Sequence, residues 1–241
     1  MALYSKEKPL KILTDLNDQE LDDKCHLIAA EFENFYVVCI NAPTSGETLE
    51  KLPKSLEWDS LFRAFSEPLV KQKCVIICGD LNVAYRPIDV APSEITYPDI
   101  AGYTEEEKAN MQSLLALGLI DTFKLLYPNA ENCYTFWADK NKHIHNEGWR
   151  LDYCLISTAL RNALIDVEHK TDVCRSNHCP LIATFDRGQI ENQAKITAFT
   201  VRREQFNTGI NQIEDYDLGG FFSENNTLNT LMLTTHFQVC L

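Results

Sequence analysis

The segment that most constrains this chain is an apolar run, Cys74 to Cys78, that leads directly into Gly79-Asp80-Leu81-Asn82. A short run rich in β-branched residues predicts a strand that is buried on both faces, so the rest of the chain must supply the layers that cover it. If the strand stays extended through its tip, Asp80 and Asn82 point to one face and can share a ligand or a phosphate. An ordinary turn with an Asx cap is the alternative.

Other apolar runs predict more strands around this one. Runs near residues 10–13, 27–30 and 35–40 alternate with acidic turns, and they predict consecutive strands of an antiparallel sheet. Further strands are expected at residues 151–156, 165–168 and 181–185, with Ser157 capping a short helical turn between the first two.

Two helices are expected between these strands. Apolar residues recur at helical spacing from Trp58 to Leu69 and predict a helix that ends near Pro68. Thr104 and Glu107 have the spacing of a capping box and open a second helix that stops near Gly118. Strands and helices therefore interleave, which predicts an α/β sandwich.

Composition sets the size and the class of the molecule. With 241 residues and 45% apolar content, the chain fits one domain at residues 1–187 and an Asn-, Thr- and Gln-rich extension at 188–241 that we predict to be mostly disordered. The sequence predicts an intracellular protein without a membrane segment, and its nine cysteines are expected to be reduced. A net charge of −13 argues against strong non-specific DNA binding, so a nucleic-acid substrate would need a local basic patch.

Three polar side chains far apart in sequence have the chemistry of a hydrolase. His178 stands just before a predicted strand, and an imidazole is a natural proton acceptor at neutral pH. Asp152 is a carboxylate that can fix the tautomer of that imidazole. Together with Asp80 they would suit metal-assisted phosphodiester hydrolysis. The alternatives are a structural histidine, and a cap or an ion pair with Arg150 for Asp152.

Several short motifs of the sequence resemble those of one known family. The chain is similar to the exonuclease III-like class II apurinic/apyrimidinic (AP) endonucleases of the endonuclease/exonuclease/phosphatase superfamily, in family order from about residue 8 to 186. The matching motifs lie at residues 79–84, 88–90, 102–107, 126–129, 134–137, 148–153 and 176–180.

The resemblance implies a fold, a reaction and a site. The fold would be an incomplete two-sheet α/β sandwich, because the family's initial strands, including the one that ends in a metal-binding glutamate, have no counterpart here. The reaction would be Mg²⁺-dependent hydrolysis of DNA 5′ to an abasic site in base excision repair, together with 3′-phosphodiesterase or exonuclease work. Mn²⁺ is an alternative metal. The catalytic residues would be Asp80, Asn82, Asp152 and His178, and the metal would be held by Asp80, Asn82, Asn177 and His178.

Substrate contacts carry over in the same way. Phe136 and Trp149 match the aromatic walls of a pocket for the flipped-out abasic sugar. Asn41 stands where the family has a tyrosine that reaches the phosphate, and Asn177 stands where it has an aspartate, so metal affinity should fall. The substrate-binding residues would thus be Asn41, Phe136, Trp149 and Arg150. A basic loop precedes Arg150 and is expected to contact the DNA backbone; it holds Lys140, Lys142, His143 and His145.

The partner implied is double-stranded DNA with abasic sites, bound by a monomer in the nucleus, or alternatively in the mitochondrion. A truncated, catalytically impaired relative that binds DNA or protein is the alternative function. Another phosphoesterase of the superfamily would share Asp80, Asn82 and His178, but it would not explain the motifs at 134–137 and 148–153.

Overall fold

The computed structural model describes residues 1–16, 26–96, 99–173, 176–191 and 230–234. Within these residues the strands are β1 Lys11–Leu13, β2 Leu27–Glu31, β3 Phe35–Asn41, β4 Cys74–Asp80, β5 Leu119–Asp121, β6 Asp152–Ser157, β7 Leu164–His169, β8 Leu181–Asp186 and β9 Thr230–Thr234. The helices are α1 Leu52–Gln72, α2 Glu105–Leu115, α3 Thr122–Leu126 and α4 Lys140–Ile144, with 3₁₀ turns at Pro87–Asp89, Pro92–Glu94 and Thr158–Ala163.

A six-stranded sheet, in the order β1-β2-β3-β4-β6-β5, forms the centre of the molecule. The first three strands pair antiparallel, as their alternation with acidic turns predicted. β3 and β4 run parallel, and β4 then pairs antiparallel with β6. Every residue of β4 is buried, which confirms the prediction from its continuous apolar run.

The two faces of this sheet are covered by different layers. On one face, Trp58 and Phe62 of α1 and Met111 of α2 pack against Val75 and Ile77 of β4. On the other face, side chains of β4 and β6 pack against those of β7 and β8, which belong to the smaller sheet β7-β8-β9. The α/β class and the two-sheet sandwich are therefore confirmed. No helix in the described part of the chain is both long and apolar enough to cross a bilayer.

Helix α2 begins as its sequence predicted. The hydroxyl of Thr104 accepts a hydrogen bond from the Glu107 amide at 3.2 Å, and the Glu107 carboxylate accepts one from the Thr104 amide at 3.0 Å. This is a capping box, and it satisfies two amides that the first helical turn leaves unpaired. The helix ends at Leu115, and Gly118 follows with a left-handed φ of 93°.

Two local predictions are wrong in detail. Helix α1 continues through Pro68 to Gln72, because buried Ser66 and Leu69 hold its last turn against the sheet and the Lys73 amide donates to the Leu69 carbonyl. Ser157 stands at the N-cap of a 3₁₀ turn, but its hydroxyl does not cap that turn. It accepts a hydrogen bond from the Val75 amide at 2.8 Å and so ties β6 to β4.

The predicted disordered extension falls mostly outside the described residues. Its two described pieces are ordered, because residues 187–191 are helical and the backbone of β9 pairs antiparallel with β8 from Asp186 to Ile182. That the extension is mostly disordered stays a prediction. The proposed boundary between residues 187 and 188 therefore falls inside a helical turn. Strand β9, which belongs to the extension, is the third strand of the smaller sheet in the described residues.

Candidate active site

Three polar residues meet at one end of the six-stranded sheet because of its register. Asn41 on β3 is paired with Asp80 on β4, and Asp80 is paired with Asp152 on β6. Directly paired residues point to the same face of a sheet, so the two carboxylates stand side by side. Asp80 and Asp152 are both buried, and the Asn41 backbone also pairs with His26.

Gly79 allows the close approach of strands that brings these residues together. Its φ is 139°, and a Cβ at this position would lie 2.0 Å from the carbonyl oxygen of Ile40 on β3. A side chain at position 79 would therefore push β3 and β4 apart next to Asp80. Both the packing of the strands and the backbone conformation therefore require the glycine of the Gly-Asp-Leu-Asn motif, Gly79.

The segment after Asp80 is a turn, which corrects one prediction. Strand β4 ends at Asp80, and Asn82 has a left-handed φ of 51°, so the two side chains do not share a face of an extended strand. The Asn82 amide donates to Asp80 Oδ1 at 2.8 Å, an Asx turn, and Asn82 Nδ2 donates to the Ala42 carbonyl at 2.6 Å. Asn82 braces the site from the loop side.

His178 completes the cluster from the loop before β8. Its Nδ1 lies 2.8 Å from Asp152 Oδ2, and its Nε2 lies 3.9 Å from Asp80 Oδ2. The contact between His178 and Asp152 is the one that the sequence predicted, although they are separated by 26 residues. Ligand atoms of Asp80, Asp152 and His178 all lie within 4.8 Å of one another.

The surroundings shift the pKa values of two members of the cluster. Burial, followed by the negative charge of Asp152, raises the pKa of Asp80 to about 7. Burial acts to lower the pKa of His178, but the hydrogen bond to Asp152 and the charges of Asp152 and Asp80 outweigh it, and the pKa is raised. Asp80 can therefore exchange a proton near neutral pH.

The cluster fits a divalent cation. Asp152 Oδ1 is buried and has no hydrogen-bond partner among the described residues, which leaves a carboxylate oxygen free to ligate. Two carboxylates and an imidazole are a donor set for a hard or borderline metal ion. Asp152 takes a place that the expected ligand set of Asp80, Asn82, Asn177 and His178 did not include. Asn177 is exposed, and its Nδ2 donates to the Ala138 carbonyl at 3.2 Å.

The two predicted aromatic walls lie beside this cluster. Phe136 forms antiparallel bridges with both Trp149 and His178, and its ring centroid is 4.8 Å from that of His178. Trp149 is largely buried, and its Nε1 donates to Glu94 Oε2 at 3.1 Å. The structure thus brings Phe136 and Trp149 together next to His178.

Arg150 does not reach the surface, so its prediction as a substrate contact is wrong. Only 1% of the residue is exposed. Its guanidinium donates to Asp89 at 2.8 and 3.0 Å and to Asp121 at 2.7 Å. It also lies 4.3 Å from the ring of Tyr153. This buried pairing anchors the chain between Trp149 and Asp152 rather than binding DNA.

Sequence reasoning missed two supporting side chains. The buried hydroxyl of Thr135 accepts hydrogen bonds from the amides of Leu151 and Asp152, each at 3.0 Å. Glu94 binds Trp149, as described above, and Lys142 at 2.9 Å. Thr135 is the one aliphatic hydroxyl among the aromatic residues at 134–137, whereas nothing near Glu94 in the sequence marks its role.

Comparisons with known proteins agree with this geometry. Residues 1–172 match the model of the endonuclease/exonuclease/phosphatase family. The chain is 38% identical over 187 residues to recombination repair protein 1 of Drosophila melanogaster, covering 77% of this chain and 27% of that protein. It is 32% identical over 181 residues to an exodeoxyribonuclease of Bacillus subtilis, covering 75% of this chain and 71% of that protein.

A solved structure gives the same picture. An AP endonuclease from Archaeoglobus fulgidus superposes with a TM-score of 0.67 at 28% identity, covering 76% of this chain and 73% of that one. The chain spans about a quarter of the fly protein and about seven tenths of the bacterial one. From the family match, the bacterial relative and the shared fold, the chain belongs to the endonuclease/exonuclease/phosphatase family.

Proposed function

We propose that this chain hydrolyses DNA at abasic sites, cutting the phosphodiester 5′ to the lesion in base excision repair, with 3′-phosphodiesterase or exonuclease work as a second activity. The observation that carries the proposal is the cluster of Asp80, Asp152 and His178 beside the aromatic pair of Phe136 and Trp149. The Archaeoglobus relative is described as an AP endonuclease and the Bacillus relative as an exodeoxyribonuclease. Both acts are phosphodiester hydrolysis.

The residues of this chain suggest a division of labour. Asp152 holds His178 through Nδ1, which fixes the ring and directs Nε2 away from Asp152. His178 can then donate a hydrogen bond to a phosphate oxygen. Asp80 Oδ2 lies 3.9 Å from His178 Nε2, and the Asp80 carboxylate offers an oxygen that can accept a proton from the attacking water. Phe136 and Trp149 would enclose the base-free sugar.

A divalent cation, Mg²⁺ with Mn²⁺ as the alternative, would be held by Asp80 and Asp152 with His178 nearby. When bound, the metal supplies positive charge that stabilises the phosphorane-like transition state. Asn82 donates from Nδ2 to the Ala42 carbonyl, which orients its side chain, and its carboxamide oxygen remains a proposed metal ligand. Asn177 remains a proposed ligand through its carboxamide oxygen, and Asn41 a proposed hydrogen-bond donor to the phosphate.

The test is Mg²⁺-dependent incision of a duplex that carries one abasic-site analogue. We expect the wild-type chain to cut 5′ to the analogue, EDTA to stop the reaction, and His178→Ala and Asp152→Asn to lower the rate by about 100-fold or more. Glu168→Gln, which removes an exposed carboxylate on β7, is the matched control and should cut at the wild-type rate.

Circular dichroism and a melting curve establish that each variant is folded. No incision by a folded wild-type chain would overturn the proposed enzyme and favour the alternative, a relative that binds DNA or protein without cutting. Sedimentation of the purified chain tests the proposed monomer, and imaging of a tagged chain tests the proposed nuclear location against the mitochondrion.

A further inference from the structure

Glu94 connects three segments around the aromatic pair. It ends the 3₁₀ turn Pro92–Glu94, and its Oε2 accepts a hydrogen bond from Trp149 Nε1 at 3.1 Å. Its Oε1 lies 2.9 Å from Lys142 Nζ on α4. The Glu94 side chain is 13% exposed, so both carboxylate oxygens are used in a largely dry environment. Lys142 is in turn bound by Glu147 at 2.7 Å.

The backbone around Trp149 is fixed independently of Glu94. The Trp149 amide donates to the Phe136 carbonyl at 2.9 Å, and the Ala91 amide donates to the Gly148 carbonyl at 2.9 Å. These bonds set the backbone of the residue, whereas the indole is placed by its own contacts. It packs with Val90 and Leu151, and its ring centroid lies 6.5 Å from that of Tyr103. The ring has one polar atom, a donor, and Glu94 is the acceptor for it.

We propose that Glu94 is a positioning residue that sets the orientation of the Trp149 indole as a wall of the abasic-sugar pocket, and that Lys142 holds Glu94 in place. The inference rests on the proposed function for the meaning of the pocket. A charged acceptor makes a stronger hydrogen bond than a neutral one, and a wall that is ordered in advance spares the substrate the cost of ordering it. The charge of Lys142 then holds the Glu94 carboxylate beside Trp149, whereas the sequence predicted that the loop of Lys142 contacts the DNA backbone.

The first test reads the contact directly, without activity. The chain has three tryptophans, so a ¹⁵N-labelled sample gives three indole N–H signals, and Trp149→Phe identifies the signal of Trp149. We expect Glu94→Leu to shift this signal and leave the other two in place. Glu147→Gln removes the other carboxylate on Lys142 without touching Trp149, and it should leave all three signals unchanged. An unmoved Trp149 signal in Glu94→Leu overturns the proposal.

The second test separates positioning from general stability. We expect Glu94→Leu to raise KM for the abasic duplex about tenfold, the effect of losing one charge-assisted hydrogen bond, while kcat stays within about threefold. Glu94→Gln keeps an acceptor oxygen for the indole and should raise KM by no more than about threefold. If Glu94→Leu fails to fold, Glu94→Gln and Lys142→Met replace it. We expect the variant with the larger displacement of the Trp149 indole signal to show the larger rise in KM.

The outcomes of the two tests are distinguishable. A fall in kcat with KM unchanged, or equal losses in Glu94→Leu and Glu147→Gln, overturns the positioning role. If the folded wild-type chain does not cut the abasic duplex, the proposed function fails and the pocket role fails with it. The indole spectra then still decide whether Glu94 orders Trp149.

Discussion

Two histidines of this chain have pKa values that their surroundings shift in opposite directions. His178 is held by Asp152, and its pKa is raised. His169, at the end of β7, stacks on Phe123 with ring centroids 4.2 Å apart, and neither of its ring nitrogens has a partner among the described residues. Burial lowers the pKa of His169 to about 3, with the charges of Arg150 and Lys124 acting in the same direction. His169 is therefore neutral wherever the protein is folded and near neutral pH.

His169 should make the fold sensitive to acid. Its pKa is 6.5 when unperturbed and about 3 in the folded chain, so the unfolded chain binds the proton first as the pH falls. Its contribution to stability is complete above pH 6.5 and is lost progressively towards pH 3. Between pH 6.5 and 5 the loss is about 2 kcal/mol. In urea unfolding at pH 7 and pH 5, His169→Phe should lose less stability than wild type by about this amount, and equal losses would contradict the assignment.

The sequence predicted the contact between His178 and Asp152 but not the burial of Arg150. The first rests on the complementary chemistry of an imidazole and a carboxylate and on the family resemblance, which assigns Asp152 to orient His178. The second depends on Asp89 and Asp121, which lie 61 and 29 residues away from Arg150. A local pattern of charges contains no information about partners at such separations, so Arg150 looked like part of an exposed basic loop. Glu94 was missed for the same reason.

The contact between α1 and α2 contains a carboxylate that is poorly solvated. Asp59 on α1 accepts a hydrogen bond from Asn110 on α2 at 3.2 Å. Burial raises the pKa of Asp59 to about 6, with Glu107 adding to the shift and Asn110 opposing it. Near neutral pH the charged carboxylate therefore strains the packing of the two helices on the sheet.

Replacing Asp59 with asparagine should stabilise the protein at pH 7. The folded pKa of about 6 exceeds the ordinary 3.8, so the folded chain holds the proton longer, and stability falls as the pH rises from 3.8 to 6. Asp59→Asn removes this loss and should gain about 1–2 kcal/mol at pH 7 after allowing for partial exposure. The gain should disappear at pH 4 in chemical denaturation. A gain that is equal at both values would point to packing instead of charge.

At the scale of elements, local signals were predictable and tertiary support was not. The capping box of Thr104 and Glu107 involves residues three apart, so the sequence alone located the start of α2. Pro68 predicted the end of α1, yet burial of Leu69 against the sheet carries the helix four residues further. The pairing of β9 with β8 joins residues nearly 50 apart, which composition could not indicate.

The whole molecule carries 35 acidic and 22 basic residues, and many of the described cations are already paired. Each of these cations lies within 4.0 Å of a carboxylate oxygen, as in Lys71 with Glu67, Lys73 with Glu31, Lys108 with Glu105, Lys124 with Asp89, and Lys142 with Glu94. Such pairing lowers the positive charge that these described side chains offer to DNA phosphates. Binding to DNA should therefore rest on the pocket and the metal more than on counterion release.

This charge distribution predicts a weak dependence of DNA binding on salt. We expect the logarithm of the affinity for an abasic duplex to fall with the logarithm of salt concentration with a slope of about −2 to −3, corresponding to two or three phosphate contacts. Fluorescence anisotropy between 50 and 200 mM KCl, with the metal held constant and cutting blocked by His178→Ala, measures the slope. A slope steeper than about −5 would contradict the prediction, because it would require about twice as many phosphate contacts.

The pairing of Asp80 with Asp152 across two antiparallel strands has a consequence for handling the protein. Like charges directly opposite each other destabilise a sheet. The proposed active site is therefore a place where the two paired carboxylates lower the stability of the fold. Asp80→Asn removes one charge but keeps an oxygen for the Asn82 amide, and it should melt about 2–4 °C higher than wild type in EDTA. An Asp80→Asn chain that melts at or below the wild-type temperature would refute this. If the gain is observed, the Asp80→Asn variant, which we expect to be inactive, is more stable than the wild-type chain. It is then the variant to use for crystallising a complex with uncut DNA.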